Sequence, residues 1–265
     1  MAARPLAQLN LTCASAAEHL GFVALADIAA ATVNSESRII GGQMVTLHVL
    51  RWGLDLTRLT QDVDLGVPPM VVQTPELADE LERLGYSKTA GNRFEKLVTG
   101  IPAAAGDRYA AVDVLIPAYQ SRPRPNRKFG KNFVTTEVPG LALAFRREPI
   151  DLPLEVTFLD GSKRSFPVRL PDEVSALTLK VMARTIRRKD NDAVDVWRVL
   201  EVCAAAGIRD IELGPDEEPV RKVLGTQFAR GGDAIAEVGR ARNLSEFETT
   251  RLETRIQALI QQVLP

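Results

Sequence analysis

The sequence has few cysteines, and it has no long hydrophobic run. Cys13 and Cys203 are the two cysteines of the 265 residues and lie far apart, which favours reduced, buried thiols over a disulfide framework. No apolar run approaches the roughly 20 residues of a membrane span. The first ten residues, MAARPLAQLN, lack the uninterrupted apolar core of a secretion signal. We therefore predict a cytoplasmic protein without a membrane segment.

The chain also lacks an excess of charge of one sign. It has 33 basic and 34 acidic side chains and a formal net charge of −1. This balance excludes an overall electrostatic footprint for nucleic acid, so any RNA-binding surface must be a local patch. With 45% hydrophobic residues, the chain can bury the core of one large domain or two small ones.

The most informative stretch runs from residue 38 to residue 67. It predicts a short strand (38–40), the diglycine Gly41-Gly42, an amphipathic helix, and a second strand that carries Asp62 and Asp64. Side chains two apart in a strand share one face, so the two carboxylates should project together. A divalent cation relieves their repulsion, and the unpaired N–H groups at a helix start attract phosphate. Taken singly, each feature is also typical of a turn or of solvated acids at a strand end.

The order GGQMVTLH followed by RLTQDVDL resembles the DNA polymerase beta nucleotidyltransferase superfamily. Within it, the closest resemblance is to the AbiEii-type toxins of type IV toxin-antitoxin systems. The resemblance implies that Asp62 and Asp64 bind Mg²⁺ or Mn²⁺, and that Gly41, Gly42 and Thr60 hold the nucleotide phosphates. Many superfamily members have serine at the position of Gly42, so backbone N–H groups must replace that hydroxyl here.

A third carboxylate lies in the strand-like run YAAVDVLIP, residues 109–117. Asp113 stands there among Val112, Val114 and Leu115, where burying an acid is costly unless a cation or a donor meets it. The resemblance implies that Asp113 completes the metal site and binds the metal nearest the attacking hydroxyl. The alternative is an acid at the end of a strand.

Residues 119–132 form a basic, proline-containing segment that we predict as a loop. Tyr119 and Phe129 are interleaved with its basic residues, a combination that suits phosphate backbones and stacked bases. The loop is either a solvated surface or the RNA-binding patch. Its basic residues are Arg122, Arg124, Arg127, Lys128 and Lys131.

The second half of the chain changes character near residue 170. Residues 135–170 alternate like strands around the hairpin signal Asp160-Gly161, whereas the sequence from Pro171 onward predicts helices. We therefore predict an α+β protein with two domains. Residues 1–170 would form a polymerase-beta-like nucleotidyltransferase domain, a mixed sheet flanked by helices, and residues 171–265 would form a helical domain.

A second motif occupies residues 177–201, LTLKVMARTIRRKDNDAVDVWRVLE. Its charges suit the ends of two consecutive helices, which is one sufficient explanation. The motif also resembles the lysine and the following R-D-x-x-D-like element of the toxin branch. That resemblance implies that Lys180 neutralises the triphosphate, with Lys189 also near the nucleotide, and that Asp192 or Asp195 positions Lys180 or acts as a base. Asp190 competes with both aspartates for this role.

Together these resemblances imply a metal-dependent nucleotidyltransferase. The enzyme would transfer a nucleoside monophosphate from a nucleoside triphosphate to RNA, with the 3′ end of tRNA as a plausible acceptor, and release pyrophosphate. The toxin branch implies a separately encoded antitoxin. Three alternatives stay open, namely transfer to a small molecule such as an aminoglycoside, transfer to a protein hydroxyl, and a non-catalytic nucleotide- or RNA-binding module.

Overall fold

The computed structural model describes residues 4–55, 60–101, 108–119, 123–129, 133–188 and 190–264. They form an α+β protein whose strands all precede residue 171. The strands are β1 (Leu9–Thr12), β2 (Arg38–Ile40), β3 (Val63–Gly66), β4 (Ser87–Lys88), β5 (Arg93–Leu97), β6 (Tyr109–Pro117), β7 (Arg127–Phe129), β8 (Phe133–Thr135), β9 (Glu137–Val138), β10 (Ile150–Thr157) and β11 (Lys163–Leu170).

Helices cover the central sheet and make up the C-terminal part. They are α1 (Ala16–Ala31), α2 (Gly41–Arg51), α3 (Pro69–Gln73), α4 (Glu76–Arg83), α5 (Leu141–Arg146), α6 (Glu173–Ala183), α7 (Asp190–Ala205), α8 (Glu217–Gln227), α9 (Asp233–Arg242) and α10 (Glu246–Val263). No helix among the described residues is long and apolar enough to cross a membrane.

The larger sheet has the strand order β2-β3-β6-β5-β4, with β9 beside β6. β3 and β6 run parallel, whereas β2 and β5 are antiparallel to their neighbours. Val63, Leu65, Val112 and Val114 are fully buried, because the alternation of β3 and β6 places them all on the core face. The residues between them face the opposite side of the sheet, where the candidate site lies.

Two predicted segments differ from the structure. The segment 135–170 contains helix α5 as well as the hairpin of β10 and β11, which turns at Asp160-Gly161 as predicted. The basic segment predicted as a loop contains β7, which pairs with β8. Phe129 and Phe133 face each other in that pair and are buried, so burial of two aromatic rings converts part of the loop into a hairpin.

Helix α1 is continuous through Gly21. Ser15 caps its start by accepting a hydrogen bond from the Glu18 N–H. A Cβ atom at position 21 would lie 2.5 Å from Nε2 of Gln43 and 3.1 Å from the carbonyl oxygen of Thr60. The glycine thus lets the segment that leads to β3 pass close to α1.

Helix α2 packs on both apolar clusters of the protein. Leu47 belongs to the cluster around the sheets, whereas Met44, Val45 and Val49 belong to the cluster formed with the helices after residue 172. Strands end at Leu170 and helices follow, as the sequence predicted. The division into two domains at that point stays a prediction, because α2 contributes to both cores.

Both histidine rings hydrogen-bond to the backbone, and both cysteines are buried. Nδ1 of His19 accepts a hydrogen bond from the Leu159 N–H at 3.3 Å, and Nε2 of His48 donates to the carbonyl of Pro171 at 2.9 Å. Cys13 and Cys203 are free thiols and buried. Burial raises the pKa of the Cys13 thiol to about 11, so it is protonated and unreactive near neutral pH.

We expect Leu47→Ala to lower the free energy of unfolding by about 2–5 kcal/mol, because the side chain is fully buried and the core cannot close the cavity completely. Leu97→Ala is the matched control. Leu97 is 53% exposed, so its loss should change stability by less than about 0.5 kcal/mol. Urea unfolding of the two variants measures the difference, and equal effects would contradict the role assigned to α2.

Candidate active site

Asp64 and Asp113 are the centre of the site. They are direct partners in the parallel ladder between β3 and β6, so their side chains stand next to each other on one face of the sheet. Asp62, which the sequence placed in the same strand as Asp64, comes just before β3. Its side chain is 48% exposed and ion-paired with Arg93, so it lies at the rim of the site.

Burial works against ionisation of the two central carboxylates. Burial raises the pKa of Asp64, although Lys180 and Arg187 oppose this shift. Burial also raises the pKa of Asp113, with a further contribution from the charge of Asp64, to about 6. Both shifts show that ionising the pair is unfavourable in this environment and that an additional cation would be stabilising.

Gly41 brings the start of α2 directly against Asp64. Its φ is +68°, and a Cβ atom at this position would lie 1.8 Å from Oδ2 of Asp64. Only glycine therefore fits here, for its backbone conformation and for the space. No side chain caps the start of α2, so the first N–H groups of the helix stay available to an anion beside the carboxylates.

A cleft of about 350 Å³ lies between this face of the sheet and α6. Asp64 and Asp113 form one wall, and Lys180 and Arg187 contribute positive charge from the other side. Apolar side chains separate the charged ones. The lining residues are Ile40, Gly41, Asp64, Asn92, Asp113, Leu115, Thr136, Glu137, Val138, Pro139, Leu179, Lys180, Ala183, Ile186 and Arg187.

Lys180 and Arg187, the two basic residues that line the cleft, each pair with one aspartate of α7. Nζ of Lys180 lies 2.9 Å from Oδ2 of Asp195, and both side chains are buried. Nε of Arg187 lies 3.2 Å from Oδ2 of Asp192. The geometry thus pairs Asp195, rather than Asp192, with Lys180. Lys189 and the side chain of Asp190 lie outside the described residues.

Sequence reasoning missed Arg93, which binds the carboxylates from the neighbouring strand. It is the register partner of Asp113 in β5, and Nη1 lies 2.9 Å from Oδ2 of that residue. Nη2 lies 3.3 Å from Oδ1 of Asp62. The available signal is an arginine in the short run RFEKL, residues 93–97, but the segment between this run and β6 leaves the register undetermined.

Thr60 and Gly42 are the other residues predicted to hold the nucleotide phosphates. The carbonyl of Thr60 accepts a hydrogen bond from Nε2 of Gln43 at 2.8 Å, and neither Thr60 nor Gly42 lines the cleft. Gly42 is the second residue of α2. Both phosphate-binding assignments stay predictions.

The basic segment reaches the cleft through Glu137. Oε1 of Glu137 lies 2.5 Å from Nη1 of Arg127, and Oε2 accepts the backbone N–H of Arg124 at 2.9 Å. Lys128 is exposed, and Arg122 and Lys131 lie outside the described residues. The segment is therefore attached to a cleft residue, and its role in RNA binding stays a prediction.

The predicted three-carboxylate metal centre stays a prediction. Among the described residues, no group of three or more histidine, cysteine, aspartate or glutamate side chains is arranged to hold a metal ion. Asp64 and Asp113 nevertheless fit a divalent cation, because they place hard oxygen donors side by side. Water and phosphate oxygens can supply the remaining ligands of Mg²⁺.

With this geometry established, the chain was compared with known proteins. No protein-family model matches it, and no curated protein is significantly similar. Among the solved structures that match is an antigenic nucleotidyltransferase-like protein from Paracoccidioides brasiliensis. The two chains share 13% sequence identity over 95% of each, with a TM-score of 0.45. A likeness this distant carries no argument about activity, so the site is interpreted from its own residues.

We expect Gly41→Ala to cost more stability than Gly53→Ala. Both glycines have positive φ, so each alanine should cost about 1–2 kcal/mol in backbone strain. A Cβ atom at Gly53 meets nothing within 4 Å, whereas one at Gly41 collides with Asp64. The difference in unfolding free energy isolates this contact, and equal losses would show that Asp64 moves aside without cost.

We also expect strong coupling between Lys180 and Asp195. Lys180→Met or Asp195→Leu should each cost about 3–5 kcal/mol, since either removes one charge of a buried ion pair and keeps the other. The double variant should recover much of this loss because both charges of the pair are gone. A double-mutant cycle measured by urea unfolding tests this expectation, and additive losses would contradict it.

Proposed function

We propose that this protein is a metal-dependent nucleotidyltransferase. The observation that carries the proposal is the pairing of Asp64 and Asp113 beside the uncapped start of α2, with Lys180 and Arg187 facing them across the cleft. Adjacent carboxylates suit a divalent cation, and the helix start and the two cations suit a polyphosphate. A nucleoside triphosphate with its metal carries both kinds of group.

In the proposed complex the protein positions the phosphates. Gly41 offers backbone N–H groups without the obstruction of a side chain, and Lys180 and Arg187 offset the charge that develops on the leaving pyrophosphate. Asp195 is buried and ion-paired with Lys180, so we assign it as a positioning residue and not as a base. The apolar side chains between the charged groups provide a surface for the base and ribose.

The reaction forms one bond and breaks one. An acceptor hydroxyl oxygen bonds to the α-phosphorus, and the bond from that phosphorus to the oxygen bridging to the β-phosphate breaks, so pyrophosphate leaves with the electron pair. A carboxylate oxygen of Asp113 takes the hydroxyl proton. Mg²⁺ or Mn²⁺ held by Asp64 and Asp113, with Asp62 at the rim, would polarise the phosphate oxygens and acidify the hydroxyl.

For the acceptor we propose RNA, with the 3′ end of tRNA as the first candidate, in a toxin that a separately encoded antitoxin neutralises. The sequence resemblance of residues 38–67 and 177–201 to the AbiEii-type toxins supports this part of the proposal. The attachment of Arg124 and Arg127 to Glu137 adds support, since it brings a basic segment to the edge of the cleft.

We expect the purified protein to transfer label from one α-labelled nucleoside triphosphate to total tRNA in the presence of Mg²⁺. Asp64→Asn should reduce the rate about a hundredfold or more, because the cation that would hold the phosphates loses a charged ligand. Asp151→Asn is the matched control. It changes an exposed aspartate paired with Arg169 and should retain the wild-type rate.

The possible outcomes separate the proposal from its alternatives. Label that enters RNA and depends on Asp64 supports RNA transfer, and growth arrest on expression that also depends on Asp64 supports the toxin role. Label found instead on an aminoglycoside or on a protein hydroxyl would overturn the RNA acceptor and keep the chemistry. Nucleotide binding without transfer to any acceptor would favour a non-catalytic binding module.

A further inference from the structure

Arg93 satisfies three carboxylates at once. Its Nη1 lies 2.9 Å from Oδ2 of Asp113 and 3.4 Å from Oδ2 of Asp62, and its Nε lies 2.7 Å from Oε1 of Glu95. The planar guanidinium has the several donors that such a cluster requires. It therefore supplies the positive charge that the acidic edge of the site needs in this structure.

Two of the three carboxylates that Arg93 contacts, those of Asp62 and Asp113, belong to residues assigned to the cation. A carboxylate oxygen that accepts a short hydrogen bond from a guanidinium is less available to a metal ion. An arginine guanidinium stays protonated in proteins. Arg93 therefore stays charged and can leave these carboxylates only by moving.

The surroundings of Arg93 permit such a movement. Its side chain is 30% exposed and that of Asp62 is 48% exposed, so neither is enclosed by the core. Glu95 is two residues along β5 and shares its face, so it can retain Arg93 after the contacts to Asp62 and Asp113 break. Asp62 would then be available to the site.

We propose that Arg93 is a displaceable counterion that occupies Asp62 and Asp113 in the absence of a divalent cation and is exchanged when the cation binds. This inference rests on the proposed function, since it assigns the cation to the same carboxylates. Cation binding then includes the free energy of breaking the Arg93 contacts.

A permanent structural brace would give the opposite behaviour. If Arg93 only holds the aspartates in place for the metal, its removal disorders the ligands and weakens cation binding. If Arg93 competes with the cation, its removal raises the negative charge of the site and frees oxygen ligands, so binding becomes tighter. The direction of the change in affinity therefore separates the two roles.

The test is calorimetric titration of the full chain with Mn²⁺ alone, without nucleotide. We expect Arg93→Met to bind Mn²⁺ about tenfold more tightly than the wild type, because it removes the competing charge. Arg93→Lys should give an intermediate affinity, since an ammonium group keeps the charge but not the fork of donors. The lysine variant keeps a positive charge beside the carboxylates. It therefore still tests the inference if Arg93→Met does not fold.

Arg83→Met is the matched control. It removes an arginine paired with Glu80 on the exposed side of α4, so the net charge changes equally but the cleft is untouched. Its Mn²⁺ affinity should equal that of the wild type. If the Mn²⁺ affinity rises equally in Arg83→Met and Arg93→Met, the change in net charge alone explains the effect and the inference is overturned.

Asp64→Asn separates this inference from the proposed function. If the wild type binds Mn²⁺ through Asp64 but Arg93→Met binds it equally or more weakly, the counterion role is wrong and the proposed metal site stands. If neither the wild type nor Arg93→Met binds Mn²⁺, or if binding does not depend on Asp64, both the inference and the proposed metal site are overturned.

Discussion

The repulsion between Asp64 and Asp113 is the constraint on which the rest of the site depends. Parallel pairing of β3 and β6 places the two carboxylates side by side, and burial together with the charge of neighbouring aspartates raises the pKa of both. The protein supplies positive charge from two directions, by Arg93 within the sheet and by Lys180 and Arg187 across the cleft. Asp195 and Asp192 in turn hold the cleft cations, so the arrangement extends into the second helix of the C-terminal part.

Local patterns were sufficient to predict the elements around this constraint. The order of strand, diglycine, helix and strand in residues 38–66 follows from short-range signals, and so do helices α6 and α7 and the hairpin of β10 and β11. The fold class was confirmed for the same reason, since alternating and helical patterns occupy different parts of the chain. Asp62 was predicted to lie within the strand, whereas β3 begins at the next residue, Val63. The end of a strand has no strong sequence signal.

Features that depend on distant pairing could not be predicted in this way. The contact of Arg93 with Asp62 and Asp113 requires the register of β5 against β6, which no short-range pattern specifies. The choice between Asp192 and Asp195 required the relative rotation of two helices. The pairing of β7 with β8 was missed because the prolines that precede β7 and the basic residues of this segment outweigh a signal that comes from two aromatic side chains.

Helix α2 has a consequence for how the chain unfolds. Its start lies against Asp64, and its sides are buried in both cores. At its C-terminal end, Arg51 and Trp52 both donate hydrogen bonds to Glu173 at the beginning of α6. A fragment ending at residue 170 would expose Met44, Val45 and Val49 to water and lose these hydrogen bonds. The strand-rich and helical parts should therefore unfold in one cooperative transition, and neither is expected to be an autonomous folding unit.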